Sequence, residues 1–219
     1  MDGLTARLAA LDACAVSDAL DKLGLSGAVI GIASLTGPAK VAGRVVTTKL
    51  GAPLAGLSKR HLGAAAVMAA KPGDIIVVEH HGRTDVSGWG GLLSRGAVRC
   101  GVAAVLVDGA CRDTDESRAL GLPVFARAAV PVTARGRVAE HSCQEPITFG
   151  GVAVRPGDLV IADGSGVVFV DQTRAEEIVS TAEDIYAREQ RMATAIDAGK
   201  VIGEVMSADY EDMLKRKEV

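Results

Sequence analysis

Aromatic residues are scarce in this chain: one Trp, two Tyr and three Phe make up 3% of its 219 residues. Proteins that hold single-stranded nucleic acid stack bases on aromatic side chains, and that platform is missing. Basic charge is not in excess either. With 24 Lys and Arg against 27 Asp and Glu, the net charge is −3 and no basic block occurs. The electrostatic footprint of a nucleic-acid partner is therefore absent. No apolar run approaches the roughly 20 residues that a bilayer-spanning helix needs; the longest clean one is Leu62 to Ala70. The start, Met1-Asp2-Gly3, is acidic and leads into a charged amphipathic stretch, which argues against a signal peptide and for a cytoplasmic chain. Cys14, Cys100, Cys111 and Cys143 lack C-x-x-C spacing and read as reduced thiols rather than a disulfide framework or zinc site.

Familiar motifs are missing too. There is no G-x-G-x-x-G, since Gly88-Trp89-Gly90-Gly91 has neither the spacing nor the preceding strand, and no G-x-x-x-x-G-K-[ST], H-E-x-x-H or G-x-S-x-G. His80 and His81 are adjacent, so their side chains diverge in an extended segment; they read as surface histidines. Lys49 alternates with Thr47 and Val45 along a strand. Nothing beside it supports a Schiff-base role, so it reads as solvated or ion-paired.

What the chain does have is 48% hydrophobic residues and 26 glycines, enough for one large core with tight turns. Leu4, Leu8, Leu11, Ala15 and Ala19 repeat at helical spacing, predicting one amphipathic helix that ends near Gly24. Val41 to Leu50 and Asp74 to Glu79 read as strands, with a helix from about Ser58 to Ala70 between them. His80 to Gly91 reads as a polar loop opening a short helix at Leu92-Leu93. Ala103 to Val107 is a buried strand, and Asp113 to Leu120 a short helix. Several short strands follow up to Val170, then a long helix from Thr173 to about Ala198, opened by a Thr173–Glu176 capping box. Residues 1–199 read as a single α/β domain and residues 200–219 as a helical tail.

Three features carry chemistry. Gly90-Gly91-Leu92-Leu93 sets two glycines before a helix, where an anion can approach the first-turn amides; a plain loop-to-helix turn has the same sequence. Val107-Asp108-Gly109-Ala110-Cys111-Arg112-Asp113 follows a buried strand, where α/β folds place ligands. Arg112 offers a fork for a carboxylate or carbonyl oxygen, and Asp113 a hard oxygen for Mg²⁺. The spacing fits equally well an Asp113 N-cap completed by Glu116. Glu189 interrupts an apolar helix stripe of Ile178, Ala182, Ile185, Met192 and Ile196, so it needs a partner. A salt bridge to a neighbouring element or subunit meets that need as well.

Gly88 to Ser94 followed by Val105 to Asp113 resembles the RraA-like family, as do Ser17-Asp18-Ala19-Leu20, Pro156-Gly157-Asp158 with Ala162-Asp163, and Ala187-Arg188-Glu189. The likeness covers nearly the whole chain. The family contains class II pyruvate aldolases acting on 4-hydroxy-4-methyl-2-oxoglutarate and 4-carboxy-4-hydroxy-2-oxoadipate, and regulators that inhibit ribonuclease E. Some members carry the label of demethylmenaquinone methyltransferase, but no glycine-rich nucleotide loop for S-adenosylmethionine is present here. The resemblance implies a swivelling β/β/α fold similar to phosphohistidine domains, in homotrimers or homohexamers with sites between subunits. It implies that the amides of Gly90, Gly91, Leu92 and Leu93 hold a pyruvyl carboxylate and that Arg112 binds the keto oxygen. Asp113 would ligate Mg²⁺ or Mn²⁺, and Glu189 would reach in from a neighbouring subunit.

The aldolases carry an Asp where this chain has Gly91, and Asp85 is the candidate replacement. The implied function is a metal-dependent lyase that cleaves a C–C bond of a small 2-oxo acid through a pyruvate enolate, by aldol cleavage or oxaloacetate decarboxylation. Decarboxylation needs no base for a C4 hydroxyl, so Gly91 predicts that it outlasts aldol cleavage. The rival reading is a non-catalytic regulator on the same scaffold. The ribonuclease-inhibiting members lack the acidic residue after the Arg, and Asp113 is present.

Overall fold

A computed structural model describes residues 2–53 and 61–206. In chain order its elements are α1 (Gly3–Ala10), α2 (Ala13–Leu23), β1 (Ala28–Val29), β2 (Ala33–Ser34), β3 (Val41–Gly51), α3 (Ala64–Ala69), β4 (Ile75–Ser87), α4 (Gly91–Arg99), β5 (Ala104–Cys111), α5 (Thr114–Ala119) and β6 (Val124–Ala129). There follow β7 (Ala139–Cys143), β8 (Ile147–Phe149), β9 (Val152–Val154), β10 (Leu159–Asp163), β11 (Gly166–Val170), α6 (Ala175–Asp197) and α7 (Ile202–Val205).

Strands β3, β4, β5 and β6 run parallel, in that order, with α3, α4 and α5 as their crossovers. The first half of β3 pairs antiparallel with β10, which continues the sheet through β11 to β1; β2 closes the other edge on β6, and β7 adds to the end of β3. The central strands are apolar at successive positions because both faces are covered. Ile76, Val78, Val105 and Val107 face the helical crossovers, packing with Val67, Trp89, Leu93 and Ala97. Ile75, Val77 and Leu106 face the opposite way, toward Phe149, Val154, Val160 and Phe169. A third core sets α1, α2 and α6 against the outer face of β10 and β11. Each fully buried Leu or Ile contributes about 1.5–3 kcal/mol. The result is the layered α/β arrangement with a mixed sheet that the sequence predicts.

Several expectations are corrected. The amphipathic start is two helices, because Asp12 accepts the Ala15 N–H at 2.8 Å and caps a second one. The apolar period survives the break, since both helices feed the same core; Gly24, left-handed at φ 68°, ends the second as expected. The His80–Gly91 segment is not a loop: β4 runs on to Ser87, with register shifts against β5 after Glu79 and Arg83. The strand read as Ala103 to Val107 likewise continues to Cys111, so Asp108 lies within it. Of the helix expected from Ser58 to Ala70, residues 58–60 lie outside the described residues and the helix occupies Ala64–Ala69. The Thr173–Glu176 capping box does not form. Thr173 Oγ1 donates instead to Asp171 at 2.7 Å, and Glu176 pairs with Arg7 at 2.5 Å. In the expected tail, α7 is the short helix, and residues 207–219 lie outside the described residues.

Cys14, Cys100, Cys111 and Cys143 are free thiols. No described helix is long and apolar enough to cross a membrane.

Candidate active site

At the carboxyl ends of β4 and β5, two turns meet beside a cavity of about 540 Å³. The chain leaving β4 passes through Trp89 into Gly90, whose extended backbone precedes α4. The first bond of that helix runs from the Ser94 N–H to the Gly90 carbonyl at 3.1 Å. The amides of Gly91, Leu92 and Leu93 therefore have no partner within the helix and turn their positive end toward the cavity. The chain leaving β5 is pinned beside this turn: Arg112 N–H donates to Trp89 O at 3.0 Å, and Gly88 N–H to Ala110 O at 2.8 Å.

Asp113 decides the ambiguity left by its spacing. It occupies the N-cap position of α5, but at φ 56° and ψ 38°, and its side chain makes no capping bond. An N-cap residue sits in the extended region. A left-handed non-glycine costs roughly 1–2 kcal/mol, so something else holds it. Its Oδ2 accepts the Gly91 N–H at 2.9 Å and lies 3.3 Å from Arg112 Nε. The cap reading fails, and the Asp113 carboxylate stands in the mouth of the amide turn. A Cβ on Gly90 would come within 3.0 Å of that carboxylate, so the missing side chain leaves the space it uses.

Glu116, the other half of the supposed capping box, is turned the same way. A Cβ at Gly91 would sit 1.9 Å from Glu116 Oε2. The carboxylate therefore fills the space beside Gly91, while Arg95 Nε holds its other oxygen, Oε1, at 2.5 Å. This placement escapes a reading of spacing alone, because Asp-x-x-Glu is also a capping pattern. The available signal was a second acid, Glu116, one helical turn beyond Asp113. The cavity's other wall, from Thr133 to Ala139 with His61 and Leu62, was also not foreseen.

The remaining expectations sort cleanly. Gly90, Gly91, Leu92, Leu93, Arg112 and Asp113 all line the one cavity. Asp85 does not; it is exposed, and two bonds from Arg83, at 3.0 and 2.7 Å, hold its carboxyl below the usual range. Glu189 is half-buried on α6 and does not line the cavity. Burial, then the charges of Asp18 and Asp12, push its carboxyl up, and it forms no ion pair among the described residues. Lys49 is ion-paired as expected, 3.1 Å from the buried Glu79. His80 is not a surface histidine: it is 1% exposed, its Nε2 lies 2.9 Å from Val86 O, and burial lowers its pKa. His81 is partly exposed, 3.2 Å from Glu79.

Among the described residues, no cluster of three or more His, Cys, Asp or Glu is placed to hold a metal. Two carboxylates, Asp113 and Glu116, do flank Gly91. Hard oxygen donors in that number suit Mg²⁺ or Mn²⁺, which retain several waters and take further oxygens from substrate.

Parallel crossover units ending in a cavity lined by a helix's first-turn amides, a guanidinium and two carboxylates define an α/β protein with a polar cavity at its strand ends. Residues 13–169 match the RraA-like family (Aldolase/RraA), and the chain belongs to that family. It is 33% identical over 183 residues to "Putative 4-hydroxy-4-methyl-2-oxoglutarate aldolase" of Halalkalibacterium halodurans, covering 83% of this chain and 82% of that one. It is 31% identical over 216 residues to Protein DlpA of Legionella pneumophila, covering 96% of this chain but only 34% of that protein's length. An uncharacterized protein from Pseudomonas syringae pv. tomato has the same fold, with a TM-score of 0.85 at 30% identity over 92% of each chain. Streptomyces coelicolor RraAS2, described as an unusual member of the RNase ES inhibitor RraA protein family, superposes with a TM-score of 0.76 at 30% identity, covering 87% of this chain and 96% of that one.

Proposed function

We propose that the protein is a divalent-metal-dependent lyase that cleaves a C–C bond beside a 2-oxo acid and releases pyruvate. The observation that carries this reading is the convergence of Arg112, Asp113 and Glu116 on the open amides of the Gly90–Leu93 turn. Relatives named as 4-hydroxy-4-methyl-2-oxoglutarate aldolases support the same class.

Asp113 and Glu116 would hold Mg²⁺ or Mn²⁺, which when bound supplies Lewis-acid polarisation of the substrate's oxygens. The amides of Leu92 and Leu93 hold the substrate carboxylate, joined by Gly91 once Asp113 gives up its N–H. Arg112 donates to the keto oxygen and stabilises the negative charge that gathers there as the C–C bond breaks and an enolate forms. Decarboxylation of oxaloacetate and retro-aldol cleavage of 4-hydroxy-4-methyl-2-oxoglutarate lead to the same enolate. The second also needs a base to take the C4 hydroxyl proton. Glu116, standing beside Gly91, supplies the carboxylate that Gly91 lacks. This revises the expectation drawn from Gly91 alone: aldol cleavage survives without Asp85. Glu189 acts in a neighbouring subunit's site, in a homotrimer or homohexamer. The test is pyruvate release from a panel of 2-oxo acids with and without Mg²⁺ or Mn²⁺; no metal-dependent release from any of them overturns the reading.

The likeness to RraAS2 favours one alternative, a regulator that keeps the scaffold without turnover. A silent panel together with inhibition of a ribonuclease E-type enzyme would establish it.

A further inference from the structure

The reading above requires the amide turn before α4 and the carboxylates of Asp113 and Glu116 to keep a fixed separation. They lie on different crossover units. Resting on that reading, we propose that Ser94 and Ser117 are a positioning pair, a buried hydroxyl bridge between α4 and α5 that sets this separation and thereby the affinity for the divalent cation.

Ser94 is 0% exposed and Ser117 1%. Their Oγ atoms lie 2.8 Å apart. Trp89 Nε1–H donates to Ser94 Oγ at 3.0 Å, and Ser117 Oγ reaches the Asp113 carbonyl at 3.3 Å. Every proton in this chain has an acceptor: the indole donates to Ser94, Ser94 to Ser117, and Ser117 to Asp113. The opposite order also closes, with Ser117 donating to Ser94 and Ser94 to the Gly90 carbonyl at 3.3 Å. In either order, the chain ends on one of the two residues that frame the site.

Simple helix packing does not call for hydroxyls here. Buried polar groups cost free energy unless bonded, and alanines would let two short helices approach as closely. The bridge has a specific mechanical position. The Asp113 carbonyl receives both the Ser117 N–H, at 3.0 Å, and the Ser117 hydroxyl, and Asp113 is the left-handed residue that needs holding. Ser94 in turn touches the carbonyl of Gly90, whose successor donates to the Asp113 carboxylate. Removing either hydroxyl frees Asp113 to relax from its strained conformation and move off the turn. Partners one step behind a metal ligand set its affinity, by about 10–100-fold when lost.

Calorimetric titration with Mn²⁺ tests the pair, using the unmodified chain, Ser94→Ala, Ser117→Ala and the double variant. Thr47→Val is the control: it removes a hydroxyl that is 0% exposed and bonded at 2.7 Å to Glu145 O, away from the site. Each serine variant should bind Mn²⁺ about tenfold more weakly. The double variant should be little worse than either, since one bridge is lost in all three. Thr47→Val should lose thermal stability yet bind as the unmodified chain does. Unchanged affinity in Ser94→Ala and Ser117→Ala overturns the pair and leaves the functional reading standing, as does equal weakening in Thr47→Val. Failure of the unmodified chain to bind Mn²⁺ overturns both.

Discussion

Two pairs of carboxylates, one within β4 and β5 and one just past the end of β5, are built differently. Glu79 and Asp108 stand opposite each other on β4 and β5, buried, and both are saturated. Glu79 takes Lys49 and His81 on one oxygen and the Thr148 N–H on the other; Asp108 takes Arg127 Nε at 2.6 Å and the Gly150 N–H at 3.0 Å. Asp113 and Glu116, past the end of β5, are each about one-third exposed. Among the described residues, Asp113 Oδ1 and Glu116 Oε2 accept no hydrogen bond. A carboxylate serving the fold spends both oxygens on protein donors, because an unpaired buried charge is costly. A carboxylate serving a ligand keeps one oxygen free beside open volume. The first pair ties β8 and the turn after it to the sheet; the second leaves an oxygen of each carboxylate without a protein donor.

Substitutions sharpen this difference, and the largest effect is expected at Asp113. Asp113→Ala should lower metal-dependent pyruvate release by at least about 10²–10³-fold while leaving circular dichroism and melting temperature near those of the unmodified chain. The residue makes no capping bond and sits in a strained conformation that alanine will not hold, so its loss costs the fold little. Normal turnover would end its role as metal ligand.

Asp108→Ala should do the reverse. It strands the Arg127 guanidinium and the Gly150 N–H, and should cost about 3 kcal/mol in urea unfolding, with specific activity of the folded protein kept. If Asp108→Ala instead abolishes activity without loss of stability, the division between the two pairs is wrong.

Glu116→Gln keeps size and removes charge. It should lower both reactions by weakening the hold on the cation, and aldol cleavage by about a further 10²-fold, because only that reaction also needs a base. Gly91→Asp placed in a Glu116→Ala background should recover part of the aldol rate, since the space that Glu116 Oε2 occupies over Gly91 is then free. Equal losses in both reactions would assign Glu116 to metal binding alone.

Much of the central sheet was legible in the sequence, because strands buried on both faces carry unbroken apolar runs such as Ile75 to Val78. Arg112 and Asp113 were legible for the same reason: a polar pair after such a run lies at a strand's end. The second half of β4 was not. His81 to Asp85 are largely exposed, and the ladder slips twice there, so neither periodicity nor apolar content marks a strand. A capping pattern misled at Thr173 and left Asp113 undecided between cap and ligand, because local spacing cannot tell which long-range partner competes. Arg7 drew Glu176 away, and the Gly91 amide drew Asp113. Glu116 was hidden by the same degeneracy.

Glu189 belongs to neither pair, and the smallest expected effect tests where its partner lies. Within one chain its surroundings are hostile: burial, Asp18 and Asp12 all raise its pKa, and Asp18 is raised in turn by burial, Asp21 and Asp12. A carboxyl whose folded pKa exceeds its unfolded value binds its proton more tightly when folded. It stabilises the fold below the unfolded pKa, and that contribution is lost as pH rises through the folded one. The contribution of Glu189 to the stability of the separated chain should therefore decline as pH rises above about 4.5. Glu189→Gln should remove part of that decline, a gain of about 0.5 kcal/mol or less at pH 7, because the group is half-exposed and screened by solvent. In an assembly where a neighbour's cavity receives Glu189, the substitution should cost activity instead. Mixing Glu189→Gln with Asp113→Ala under subunit exchange should restore part of that activity, since some sites then draw both intact residues from different chains. Melting curves at low and high protein concentration between pH 4 and 7 measure the first effect, and pyruvate release from the mixed variants the second. Exchange without recovered activity would return Glu189 to its own chain as a residue of the α2–α6 interface.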